Sequence, residues 1–195
     1  MAIRSLGNST SPYDAVMGTT GRNTGATDYD PPPPLGYGAR GVIAGGGIQY
    51  GGGNPLTDQM QYITIATTGN ATNFGDLLTG NHNGGSCSPG VYGYFIGGDS
   101  TPYTPNNSNV IQRITIQTTG NSTDVGDLTF LRNSNSGAAN DSRGISAGGQ
   151  SVWPYNNDGN LNQIEYFDAA GGGGDSSDFG DLATRVQQAS GMSGQ

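Results

Sequence analysis

The sequence predicts an all-β repeat domain preceded by an extended N-terminal arm. Three observations carry that expectation. A polar, glycine-punctuated phrase is written three times: TTGNATNFGDL (67–77), TTGNSTDVGDL (118–128) and, more loosely, GGGGDSSDFGDL (171–182). Each copy follows a short apolar stretch that ends in Gly-Gly: GVIAGG (41–46), GYFIGG (93–98) and GISAGG (144–149). The 195-residue chain has 36 glycines and 10 prolines but only 32% hydrophobic and 11% charged residues, a balance that suits short strands and tight turns rather than a helical bundle.

The repeat sets the domain plan. The Gly-Gly stretches begin at Gly41, Gly93 and Gly144, so the intervals are 52 and 51 residues. The expected units are 41–92, 93–143 and 144–195, together one β-repeat domain over 41–195, with 1–40 as the arm. Within each unit the Gly-Gly strand leads into a variable Gly/Pro/Asn loop. An alternating strand follows: MQYITIA (60–66), IQRITIQ (111–117) and IEYFDAA (164–170). Period-two alternation with β-branched residues marks a strand with one buried face. The repeated phrase then supplies a turn, with Gly69 and Gly120 expected at positive φ, and an apolar-Gly-Asp-Leu strand. A Ser/Asn/Gly loop closes the unit. The aspartates of Gly-Asp-Leu (Asp76, Asp127, Asp181) read as turn caps rather than catalysts.

The arm carries Asp30-Pro31-Pro32-Pro33-Pro34-Leu35, a polyproline spacer that cannot join a sheet interior. Tyr13, Val16, Met17, Tyr29, Leu35 and Tyr37 give it apolar anchors that a plain linker lacks, so docking on a neighbouring subunit is expected ahead of the alternative, a disordered leader.

Charge and chemistry narrow the function classes. All seven basic residues are arginines, and the net charge is −8. The arginines and aspartates of the first forty residues balance, so the acidity sits on the repeat domain, which disfavours nucleic-acid binding. Cys87 is the one cysteine, so there is no disulfide framework, and a free thiol in a loop is expected. No apolar run indicates a signal peptide or a membrane insertion. His82 is the single histidine, in a Gly/Asn loop with no second base near it in sequence. No Gly-x-Ser-x-Gly and no zinc spacing occur, so no catalytic or metal residues and no cofactor are expected, and the chain reads as a non-enzyme. Asp175, Asp178 and Asp181 fall every three residues but lack the EF-hand order. The recurrent candidates are the loop aromatics Tyr50, Tyr103, Trp153 and Tyr155, rings suited to stacking on sugars or anchoring protein contacts, or to packing on their own unit.

The period, order and spacing resemble kelch-type β-propeller blades, in which a Gly-Gly strand is followed by a spaced Tyr and a bulky aromatic. The Gly-Gly pairs are Gly45-Gly46, Gly97-Gly98 and Gly148-Gly149. The Tyr position holds Tyr62 and Tyr166, with Arg113 departing; the aromatic position holds Phe74 and Phe179, with Val125 departing, and the family's tryptophan is absent. The resemblance implies three blades of 51–52 residues. A closed ring has about four to eight blades, so another chain is expected to complete it, as a homo-oligomer paired edge to edge. A β-prism or solenoid stack is the other solution. The wording YITIATTGNATNFGDL (62–77) also resembles repeat proteins of tailed bacteriophages. That implies a virion structural protein, a decoration, fibre or tail component assembled in the host cytoplasm. Its arm would contact other virion proteins, and one face would serve assembly or bind host-surface glycans. The alternative is a non-viral carbohydrate- or protein-binding propeller of lectin type.

Overall fold

The computed structural model describes residues 39–48, 55–100, 107–151 and 159–193. Residues 1–38 of the arm, with its six anchors, and the four loop aromatics lie outside these residues, and Arg40, expected at the end of the arm, opens the first strand. The chain divides into two units, Met1–Tyr37 and Gly38–Gln195, and the strands below all belong to the second.

The described residues are all-β, with no helix. Eleven strands form three antiparallel sheets. The first holds β1 (Arg40–Ala44), β2 (Gln59–Thr64) and β3 (Thr72–Asp76) in that order. The second runs β4 (Gly85–Cys87), β5 (Tyr92–Ile96), β6 (Ser108–Thr115) and β7 (Thr123–Arg132). The third runs β8 (Ser136–Ala139), β9 (Arg143–Ala147), β10 (Leu161–Asp168) and β11 (Ser177–Val186).

The sheets keep the period of the sequence repeat but differ from it in phase. The Ser/Asn/Gly stretch expected as a closing loop is a strand instead. β4 and β8 pair with β5 and β9, so each serves the sheet that follows it in the chain. Cys87 therefore lies in a strand, not a loop. These strands read Gly-Ser-Cys and Ser-Gly-Ala-Ala because bulk would not fit. A Cβ on Gly137 would overlap the Ser86 carbonyl, and one on Gly85 would press on Asn135.

Apolar alternation becomes two packed seams. Met60, Phe74, Leu77 and Ile114 form the core between the first and second sheets, flanked by Val42, Tyr62 and Phe95. Tyr94, Ile96, Ile111, Leu128, Phe167 and Ala169 form the core between the second and third. Each fully buried large side chain contributes roughly 1.5–3 kcal/mol relative to exposure.

One irregularity recurs in all three sheets. The register slips between Met60 and Gln61, between Val110 and Gln112, and between Ile164 and Glu165. The slip is a β-bulge on the facing strand, at the Phe74, Val125 and Phe179 positions. The next residue needs glycine: φ is 145° at Gly75, 147° at Gly126 and 138° at Gly180. Positive φ was expected at Gly69 and Gly120 instead. Gly69 is not in that region, whereas Gly120 does have the expected positive φ, at 159° and so close to extended. The cap is also shifted from the expected aspartates. Asn73, Asp124 and Asp178 each accept the N–H two residues on, at 3.2, 3.1 and 3.2 Å, closing an Asx turn that sets the bulge.

Candidate functional site

The Gly-Gly corners gather the polar residues. In each pair the first glycine donates to the strand after the corner and the second donates to the chain at the end of the last strand or just beyond it. Gly97 N–H donates to Val110 O at 3.0 Å, and Gly98 N–H to Arg132 O at 2.8 Å. A side chain on either glycine would collide with that backbone or with Asn81. Glycine thus lets the strand ends converge, and asparagine amides satisfy the crowded peptide groups there.

The residues that meet at one corner are His82, Asn83, Asp99, Asn107 and Asn133. His82 and Asp99 exchange backbone hydrogen bonds, N–H to O, at 3.1 and 2.8 Å. Their side chains come within 3.8 Å, Nε2 to Oδ2. Asp99 also accepts from the Asn133 amide at 2.7 Å and the Asn83 amide at 3.5 Å. His82 Nδ1 is buried without a hydrogen bond. Beside it lies a cleft of about 340 Å³ lined by Ala44, Gly46, Leu77, His82, Asn83 and Phe95. A carboxylate held by amide donors next to an imidazole can hold or pass a proton and can bind a small polar group.

Sequence reasoning missed this pair. His82 had no base nearby in the chain, and Asp99 is brought to it across the corner. The available signal was the alignment of Gly-Gly corners, which places Asp99 directly after Gly97-Gly98 and His82 just before β4.

The second seam contains a charged pair. Arg132 and Glu165 form a salt bridge, 0% and 2% exposed at their side chains. Arg132 Nη1 also donates to Gly148 O at 3.2 Å. Glu165 accepts from Thr129 N–H at 2.9 Å, Thr129 Oγ1 at 2.6 Å and Ser176 Oγ at 2.5 Å. Burial pulls the Arg132 guanidinium below its usual range, opposed by Glu165. The first seam has the same layout without charge. Asn81 Nδ2 donates to Gly97 O at 2.9 Å, and Gln112 Oε1 accepts from Leu78 N–H and Ser122 Oγ at 2.9 Å each. The pair is therefore a packing device.

Two of the three aspartates singled out by their spacing are structural. Asp178 closes its Asx turn, and Asp175 Oδ1 accepts Asp127 N–H at 3.0 Å. The Asp127 carboxyl is pushed up, first by desolvation and then by Asp124 and Asp175. The Cys87 thiol is pushed up to about 12 by burial, against the lowering effect of a backbone hydrogen bond at Ile145. The loop residues Tyr50, Tyr103, Trp153 and Tyr155 and the arm residues lie outside the described residues, so no geometry joins them to this corner.

No protein-family model matches the chain, and no curated protein sequence matches it. Among solved structures it resembles a novel fungal alcohol oxidase of the AA5 family in complex with copper, with a TM-score of 0.52 and 15% identity. The match covers 66% of this chain and 28% of that one, so this chain spans less than a third of the oxidase. The likeness shows the fold. It also corrects the expectation of a non-enzyme: this strand arrangement is shared with an oxidase, so the lack of a short catalytic motif does not exclude an enzyme, and that expectation does not stand. Copper favours several nitrogen and oxygen donors in one set. Among the described residues no three of His, Cys, Asp and Glu are grouped to hold a metal. His82 and Asp99 supply one imidazole and one carboxylate, which does not fit a copper centre.

Proposed function

We propose that the protein is a structural component of a tailed-phage virion: a decoration, fibre or tail part. In this reading the three sheets are kelch-like propeller blades and another chain completes their ring. The N-terminal arm attaches the domain to other virion proteins. The loops with Tyr50, Tyr103, Trp153 and Tyr155 provide the face for assembly or for host-surface glycans. The protein assembles in the host cytoplasm.

The observation that carries the reading is the unfinished state of the sheet row. Phe179 in the last sheet is 50% exposed, whereas its counterpart Phe74 is 3% exposed. Ile43 in the first sheet and Ile65 in the turn just after β2 are 57% and 68% exposed. Large apolar side chains left open at both ends suit a part built to join others. The polar networks at the seams and corners, which mostly satisfy backbone groups, suit a structural role. The test is protein mass spectrometry on gradient-purified virions of a phage that carries the gene. The reading expects the protein there in many copies per particle. Recovery only from the soluble host fraction, with none in virions, would overturn it.

A further inference from the structure

We propose that copies of this chain join head to tail. The turn at 68–72 of one copy seats on the bulge Phe179–Gly180–Asp181 of the next. This rests on the reading that another chain completes the sheet row, and it names the two faces involved.

The chain contains this contact twice already. At the first seam the turn of the second repeat lies on the bulge of the first. Gly120 N–H donates to Phe74 O at 2.7 Å, and Ser122 N–H donates to Asp76 O at 2.9 Å. Asp76 N–H donates to Asn121 Oδ1 at 3.0 Å. At the second seam every bond recurs one repeat later. Gly174 N–H donates to Val125 O at 2.6 Å, and Ser176 N–H to Asp127 O at 2.8 Å. Asp127 N–H donates to Asp175 Oδ1 at 3.0 Å. Two seams with the same three bonds define a rule for adding a repeat.

The third bulge is built and open. Its φ of 138° at Gly180 and its Asx turn from Asp178 at 3.2 Å match the two occupied bulges. A Cβ on Gly75 would overlap the Gly120 carbonyl, and one on Gly126 would overlap Gly174, but one on Gly180 meets nothing within 4 Å. At the other end the first turn offers the matching groups. Gly69, Asn70 and Ala71 stand where Gly120, Asn121 and Ser122 stand in the second repeat.

The apolar surfaces agree. Ile114 beneath the first seam is 4% exposed, and Phe167 and Ala169 beneath the second are 1% and 0%. The same positions in the first repeat, Ile63 and Ile65, are 37% and 68% exposed. They form the face that would cover Phe179. Arg40 donates across the first seam to Gln117 O at 2.8 Å. Arg143 occupies the same place in the third repeat, facing the position of Ala66 in the next copy. A contact of one face with a different face either closes a ring or continues as a filament.

The test uses the full chain, with mass measured by light scattering after size exclusion. Wild type is expected to run as an oligomer. Ile65→Asp alters an exposed side chain, so the chain should stay folded and run at least twofold lighter. Orientation is read separately, on a Cys87→Ala background. Thr68→Cys and Asp181→Cys variants treated with a short bis-maleimide should cross-link when mixed and not when alone. A wild-type monomer at every concentration overturns both this contact and the completed ring. An oligomer that Ile65→Asp leaves intact, with no cross-link in the mixture, overturns this contact and leaves the ring reading standing.

Discussion

The guanidinium of Arg113 lies 4.7 Å from the centre of the Tyr92 ring. The first and third repeats make the same contact with the partners transposed: Arg40 stands over Tyr62 at 4.3 Å and Arg143 over Tyr166 at 4.6 Å. In those repeats arginine precedes the Gly-Gly strand and tyrosine sits on the alternating strand. In the second repeat the two types have changed places. Arg113 breaks the sequence pattern, yet the stacked pair survives. Arg113 also reaches the third repeat, donating to Gly172 O at 2.6 Å.

Removing Arg113 should therefore cost more than a surface arginine normally does. Arg113→Ala loses a cation–π contact and a hydrogen bond across a seam, together about 1–2 kcal/mol in urea denaturation. The double exchange Tyr92→Arg with Arg113→Tyr recreates the arrangement of the other repeats. It should recover at least half of that loss, whereas each single exchange should recover none.

The buried Arg132–Glu165 pair gives a larger effect. Removing one partner leaves the other charge buried, so Arg132→Ala or Glu165→Gln should destabilise by about 3–5 kcal/mol. The first seam supplies the rescue. Arg132→Asn with Glu165→Gln copies Asn81 and Gln112, and should be clearly more stable than either single variant in thermal melts.

The aspartates at the second seam predict a pH effect. Asp127 titrates higher in the folded protein than in the unfolded chain, so the folded state binds more protons around pH 4 and just above, near the ordinary carboxylate range. Its contribution is favourable below that range and is lost as pH rises through the raised value. Asp175→Asn keeps the Oδ1 acceptor, as Asn121 does at the first seam, and removes one of the crowding charges. The variant should be more stable than wild type at pH 7, with the difference shrinking towards pH 4, in denaturant midpoints read across pH.

Cys87 should alkylate slowly in the native protein. Burial pushes its thiol up to about 12, so little thiolate exists at pH 8. Iodoacetamide labelling followed by mass spectrometry should accelerate by more than tenfold in denaturant. Equal rates in both conditions would place the thiol in solvent.

Much of the fold could be read from the chain because alternation and glycine pairs report directly on strands and corners. The strands around Val42, Tyr62, Phe74 and their counterparts were legible for that reason. β4 and β8 were not, because close approach of Gly85 to Asn135 and of Gly137 to the Ser86 backbone selects small residues, which carry no alternation. The phase of the sheets was lost with them. The capping residues were misplaced by three positions because an Asx turn at Asn73 and an aspartate beside glycine at Asp76 look alike in sequence. The Arg113–Tyr92 exchange and the His82–Asp99 approach depend on pairing across strands, which spacing along the chain does not encode. The expected absence of enzyme activity rested on missing motifs, and a fold shared with an oxidase removes that ground.

Hydrogen exchange at single amides tests the repeated seam most directly. The amides of Asp76, Gly120, Ser122, Asp127, Gly174 and Ser176 should be protected at every concentration. Those of Gly69, Ala71 and Asp181 should be protected in the wild-type assembly and exchange freely in Ile65→Asp. Free exchange of Ala71 and Asp181 in concentrated wild-type protein would contradict the head-to-tail seam.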